Sequence, residues 1–270
     1  MSDRYESAEN VVDPEGRPYH IGVGPGEVAP HILLVGDPAR AERAAARFES
    51  LEGQWSNREY STYTGIFEGT RVSVMATGIG CDNTEIALVE LSQLLDEATL
   101  IRAGTCGAVQ PDLSIGDLVI TWGGVRLENT STWFVPEGYP AVAHPDVIAA
   151  LRRTATASGA PWRLGMTATA PGFYGAQGRN VAGFPPRRPE LIDDLARVGV
   201  ANLEMETTTL LTLASLRGFR AGAVCTVFAE RAANRFVPPD EKHRYEDRVV
   251  EVALRALGEL AQEDADDPGR

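Results

Sequence analysis

Arginines stand in this chain where the sequence pattern ends strands or begins helices, and an anion needs that combination. Arg102 lies in Leu100-Ile101-Arg102-Ala103-Gly104-Thr105-Cys106-Gly107-Ala108. The pattern predicts a buried strand, Thr99 to Ile101, opening at Arg102 into a tight loop whose backbone amides approach an anion. Arg102 supplies a planar fork for phosphate or carboxylate, Thr105 a hydroxyl, and the glycines let a ligand reach the main chain. Arg40 falls in the first turn of a helix opened by Asp37 as N-cap and Pro38, facing back over Gly36. An arginine suits the positive end of a helix dipole only when an anion is there as well. Glu204-Met205-Glu206 opens a later helix, and Phe173, Gln177 and Arg179 share a glycine-rich loop, Pro171 to Arg179. Each feature also has a plain reading: a solvated arginine, a glycine turn, or acids favoured by a helix dipole.

Composition narrows the ligand. The 270 residues carry a formal net charge of -13, which argues against nucleic acid or an anionic membrane as partner, so an anionic ligand must meet a local arginine cluster. Cys81, Cys106 and Cys225 are odd in number and far apart, giving neither a disulfide framework nor metal-ligand spacing and fitting a reducing cytoplasm. The N-terminus lacks an apolar signal core, and no run approaches spanning length.

The elements that must hold these side chains alternate in type. Residues 1–19 read as an extended arm. Strands are expected at His31–Val35, Tyr63–Glu68, Arg71–Ala76, Ile115–Thr121, Arg163–Ala170, Val200–Leu203 and Arg220–Phe228, besides the one ending at Arg102. Helices are expected from Pro38 past Arg43, then at Asn83–Leu95 with Ile86, Val89, Leu91 and Leu94 as its apolar face, and at His144–Ala157. Pro189–Val198, Thr207–Leu216 and Lys242–Leu260 read as helices too. Residues 263–270 read as a disordered tail. This alternation implies an α/β fold, a single-domain three-layer sandwich over residues 20–262 with a central mixed β-sheet flanked by helices and ligand loops at strand ends.

Six motifs stand in a telling order: Val35-Gly36-Asp37-Pro38-x-Arg40, Arg58-Glu59, Thr77-Gly78-Ile79-Gly80, Arg102-x-Gly-Thr-x-Gly107, Gln177-x-Arg179 and Glu204-Met205-Glu206. Together they resemble the purine and uridine phosphorylases, on the uridine side, from about His20 to the C-terminal helix. The resemblance implies reversible phosphorolysis of uridine, or of a related sugar-modified pyrimidine nucleoside, with inorganic phosphate as co-substrate and no other cofactor. It assigns phosphate to Gly36, Arg40, Arg102 and Thr105 with Arg58 of a neighbouring copy. The ribose falls to Thr105, Met205 and Glu206 with His20 of the neighbour. The base falls to Cys106, Gly107, Phe173, Gln177, Arg179, Glu204, Phe228 and Ala229. Arg102, Glu206 and Arg179 are implied as catalytic, in a homo-oligomer, usually a hexamer, whose sites are shared between subunits.

The chemistry agrees with these residue types. A phosphate dianion needs several cationic donors, a ribose diol suits a carboxylate, and an amide beside a guanidinium matches the edge of uracil and the charge growing on it. Purine enzymes of this type place an aspartate after the last strand, where Val227-Phe228-Ala229-Glu230 offers Ala229, with Glu230 expected on the opposite face. Some relatives hold a potassium ion between subunits; Glu59, Ile79 and Asn83 occupy that place, with asparagine standing for serine. Cys106, where the pattern often has threonine, reads as a small buried hydrophobe rather than a nucleophile. A nucleosidase using water, a purine nucleoside phosphorylase and a non-catalytic binding protein remain the alternatives.

Overall fold

The computed structural model describes residues 7–266. Chain order begins β1 (His31–Val35), α1 (Pro38–Ala45), β2 (Ser50–Asn57), β3 (Tyr60–Phe67), β4 (Thr70–Ala76), α2 (Cys81–Leu94) and β5 (Thr99–Ala108). It continues with β6 (Leu118–Arg126), β7 (Ala141–Val142), α3 (Pro145–Ala157), β8 (Trp162–Thr169), α4 (Leu191–Arg197) and β9 (Val200–Glu204). It ends with α5 (Thr207–Arg217), β10 (Arg220–Glu230), β11 (Arg235–Phe236) and α6 (Lys242–Asp266).

One mixed sheet runs β11-β10-β6-β8-β9-β5-β1-β4-β3-β2, and a further β10–β5 pairing closes β5, β10, β6, β8 and β9 into a ring. Small residues permit that curl: the facing stretches are Ala103-Gly104-Thr105 of β5 and Val224-Cys225-Thr226 of β10, and Cys106, Val119, Ala201, Cys225 and Val227 form one buried cluster. On one side of the sheet Ala41 and Ala44 of α1, Val147 and Leu151 of α3, and Val250 and Leu257 of α6 join the main apolar cluster. On the other, Leu88 and Leu91 of α2 pack with Leu210 and Ala214 of α5. Burying these stripes on both faces is what makes three layers.

Four expectations need correction. First, the stretch around Arg102 is strand to Ala108, not a loop, because β10 pairs with β5 along its whole length. On its other edge β5 pairs with β1 as far as Arg102 and with β9 from Gly107. Among the described residues, 103–106 therefore have a strand neighbour on one side only, and the site opens there. Second, residues 263–266 are not a disordered tail but the last turn of α6: Asp264 accepts from Arg220 Nη1 and His31 Nε2 at 2.9 Å each, and Glu263 from Arg153 at 2.9 Å. Residues 267–270 lie outside the described residues. Third, the arm is not extended between 7 and 19: Asp13 closes a turn by accepting from the N–H groups of Arg17 and Glu15, and Val12 bridges Pro18. Residues 1–6 of the arm lie outside the described residues. Fourth, β2 is an added edge strand, and its mostly exposed, polar sequence hid it. Smaller shifts put the start of α2 at Cys81 with Ala87, Leu88 and Leu91 innermost, and β6 three residues later than expected.

Candidate active site

The strand ends of β1, β4, β5, β9 and β10 converge on one cavity of ≈ 860 Å³. Its floor begins at Gly36, where a Cβ would stand 3.2 Å from the carbonyl oxygen of Gly78. Asp37 then caps α1 by accepting from Ala39 N–H at 3.0 Å, and Pro38 sets the first turn. That start turns Arg40 inward to a buried position on the cavity wall. Its Nη2 donates to Glu246 Oε1 at 2.8 Å and its Nη1 to the carbonyl of Ala103 at 3.4 Å, while its buried Nε has no hydrogen-bond partner.

Glu246 was invisible as a site residue in the sequence. It projects from the first turns of α6, 206 positions from Arg40, and also meets Arg43 at 2.6 Å, His243 at 3.2 Å and Lys242 at 3.8 Å. Burial works against its charge, but Arg40, Lys242 and Arg43 outweigh it and hold the carboxyl below its ordinary range. Lys242 joins the cavity wall with it.

Arg102 lies along its own strand, over Gly104, between two carboxylates. Its Nε donates to Glu204 Oε2 at 3.0 Å and its Nη2 to Glu206 Oε2. Burial opposes the guanidinium charge, yet Glu206 and Glu204 raise its pKa further above the ordinary value. Glu204 is saturated: it accepts from the Thr169 hydroxyl at 2.6 Å and from the N–H groups of Glu206 and Thr207 at 3.0 Å each. The acid that satisfies the N-terminus of α5 is thus Glu204, and it lines the cavity as the group that orients Arg102. Glu206 accepts from Gly80 N–H at 2.6 Å. Burial, and then the charge of Glu204, raise its pKa against the pull of Arg102. Met205 and Thr105 line the same wall.

At the far end stand Phe173, Gln177 and Arg179. The Arg179 guanidinium lies 4.0 Å from the Phe173 ring centroid, and its Nε donates to the Phe173 carbonyl at 2.9 Å. Burial lowers its pKa. Gln177 is buried, and its backbone carbonyl accepts from Arg231 Nη2 at 2.9 Å. Arg231 went unnoticed in the sequence. It crosses Gly107, its buried Nη1 lacks a hydrogen-bond partner, and burial followed by the charge of Arg179 pushes its pKa down to about 10.

Cys106, Gly107, Phe228 and Ala229 complete this end. Burial and then Cys225 push the Cys106 thiol up, which leaves it a poor nucleophile. A bulge between Val227 and Ala229 turns the end of β10. Ala229 faces the cavity, while Glu230 points away, accepting from Ile115 N–H at 3.1 Å and Arg235 Nε at 2.7 Å.

Two expected residues stay outside this cavity. Arg58, held at φ 53 in the turn between β2 and β3, donates to the Tyr19 hydroxyl at 3.0 Å and lies 5.1 Å from that ring. His20 packs edge-on to the same ring at 4.9 Å. Glu59, Ile79 and Asn83 are brought to the cavity, where Asn83 and Glu59 both crowd Gly78.

Residues 30–262 match the phosphorylase superfamily. The chain belongs to that superfamily. A uridine phosphorylase of Thermococcus kodakarensis is 42% identical over 97% of this chain and 95% of its own length. A guanosine phosphorylase of Halorubrum lacusprofundi is 32% identical over 88% and 94% respectively. Among solved structures, a Trypanosoma brucei nucleoside phosphorylase, described as showing uridine phosphorylase activity, aligns with a TM-score of 0.86 and 25% identity, covering 93% of this chain and 99% of its own.

For a phosphorylase the charge around the anion end is instructive. Arg40 is countered by Glu246, and Arg102 by Glu204 and Glu206. Both arginines are therefore already paired within this copy, and any anion bound beside them shares them with those carboxylates.

Proposed function

We propose that the chain catalyses the reversible phosphorolysis of uridine. One observation carries the reading: a single cavity has Arg40 and Arg102 at one end, Gln177 and Arg179 at the other, and Glu206 on its wall. Phosphate held by Gly36, Arg40, Arg102 and Thr105 attacks C1′ of the ribose as the C1′–N1 bond breaks. The electron pair of that bond leaves on the uracil ring, where Arg179 neutralises it, so no proton donor is required. Gln177 and Arg179 pair with the uracil edge, Phe173 and Phe228 flank the ring, and Cys106, Gly107 and Ala229 leave it room. Glu206 accepts from the ribose hydroxyls while Met205 packs on the sugar. Glu204, saturated by its own donors, serves by orienting Arg102 rather than by touching the base. Ala229, with Glu230 turned away, puts no acid at the end of β10 to protonate a departing purine, which favours the pyrimidine.

The cations missing from one copy come from a second. In this reading the site is shared, with Arg58 reaching the neighbour's phosphate and His20 its sugar, in a hexamer built of such pairs. In support, both side chains rest on Tyr19, so they leave the surface together. Glu59 and Asn83, beside Ile79, offer oxygens for a potassium ion between copies. The three thiols are free and buried, in keeping with a reducing cytoplasm and a role in pyrimidine salvage.

A panel of uridine, 2′-deoxyuridine, thymidine, guanosine and adenosine, with and without phosphate, tests the reading by free base and pentose 1-phosphate released. Uridine should lead and depend on phosphate. Equal turnover without phosphate would make the chain a nucleosidase, faster guanosine a purine enzyme, and binding without free base a binding protein.

A further inference from the structure

Glu90 is buried on the inner face of α2 beside Ala87, Leu88 and Leu91, and the proposed chemistry makes no use of it. A buried carboxylate is costly unless donors surround it, and here three do, all from one short segment. Glu90 accepts from the N–H groups of His20 at 3.0 Å and Ile21 at 2.8 Å, and its Oε1 lies 2.6 Å from Nδ1 of His20. From the other side Asn57 donates its amide to the carbonyls of Tyr19 at 2.8 Å and His20 at 3.0 Å. Backbone and ring are both fixed, although a third of the His20 side chain, 34%, stays exposed. An ionised carboxylate has no proton to give, so the proton of a neutral His20 resides on Nδ1, and Nε2 turns outward as a lone-pair acceptor. Among the described residues Nε2 makes no hydrogen bond.

We propose that Glu90 is a positioning residue: it locks His20 in the Nδ1–H tautomer so that Nε2 accepts from the 5′-hydroxyl of a nucleoside bound in the adjacent copy. The assignment rests on the shared-site reading above. It makes the 5′-hydroxyl a specificity handle set by a carboxylate that never touches substrate, in the way that an outer carboxylate orients a metal-bound histidine.

The test is the ratio of kcat/KM for uridine to that for 5′-deoxyuridine, at saturating phosphate, in the full-length protein and in H20A, E90Q and H20A/E90Q, with size-exclusion chromatography of each. H20A should lower the ratio about tenfold, the scale of one hydrogen bond. E90Q should lower it at least about threefold, and the double variant no further than H20A alone. A merely structural Glu90 would depress both substrates by the same factor. An unchanged ratio in E90Q beside a collapsed one in H20A therefore overturns this assignment and leaves the shared site standing. If H20A itself leaves the ratio unchanged, the shared site falls and the role of Glu90 with it. Should E90Q fail to assemble, E90D keeps the charge but withdraws it from Nδ1, and it must show the same selective loss; an equal loss on both substrates overturns the assignment.

Discussion

A Cβ on Gly104 would stand 2.9 Å from Nη2 of Arg102, 3.0 Å from its Cζ and 3.1 Å from Sγ of Cys225. The guanidinium cannot retreat easily, since Glu204 and Glu206 hold it from the other side. Gly104→Ala should therefore displace the fork without unfolding the strand, and raise KM for phosphate about tenfold or more, as small misplacements of a binding group do. Gly138→Ala, with nothing within 4 Å of its Cβ, is the matched control and should leave phosphate saturation unchanged. An unaltered phosphate KM in Gly104→Ala would remove Arg102 from the phosphate site. The same glycine shows where sequence reading stopped. Arg102-x-Gly-Thr pointed to an arginine and a hydroxyl that do line one cavity, but glycine signals either a turn or the close approach of another group. Only the long pairing with β10 decides between them, and that partner lies more than a hundred residues away.

Helix α6 shows the same limit for an element. Its start and amphipathic period were legible because Val249, Val252, Leu257 and Leu260 fall on one helical face, whereas its last turns beyond Leu260 were not. That Glu246 would be the counter-ion of Arg40 was not, because the pairing depends on how α6 crosses α1. Arg47 and Glu251 pair across the same crossing. Glu246 also gives a pH test. Its folded-state pKa lies below the ordinary value of 4.5, so it contributes stability above that value and loses it as pH falls through the depressed folded-state pKa. Glu246→Gln should cost about 3 kcal/mol near neutral pH, because it leaves the buried Arg40 charge without its partner. The difference from the parent should shrink as the pH falls below 4.5, where the parent protonates as well. Urea unfolding at pH 7 and at a pH well below 4.5 checks both. A deficit that stays constant with pH would mean that the carboxylate acts through packing alone.

At the scale of the whole molecule, an acidic chain of net charge -13 must hold a phosphate dianion, and two of the arginines on its cavity wall, Arg40 and Arg102, already face carboxylates. In the shared-site proposal a second copy contributes Arg58 as the further cation. Exposed apolar side chains on the same molecule, Ile79 at 71% and Trp133 at 85%, are of the kind that self-association covers. Complementation between two damaged proteins tests this directly. If the proposed sharing holds, Arg58→Ala spoils the neighbour's site whereas Glu206→Gln spoils its own, so each variant alone should have little activity. In a mixed pair both lesions fall on one site and the other is intact. Random exchange of equal amounts should then restore about a quarter of the parent activity, the share of sites that escape both lesions in a two-fold pair. The two variants are unfolded together, refolded and assayed for uracil release against each refolded alone. If the mixture gives no more than the mean of the two separate preparations, Arg58 acts within its own copy or not at all, and the anion end must find its missing charge elsewhere, with Lys242 on the cavity wall the nearest cation to examine.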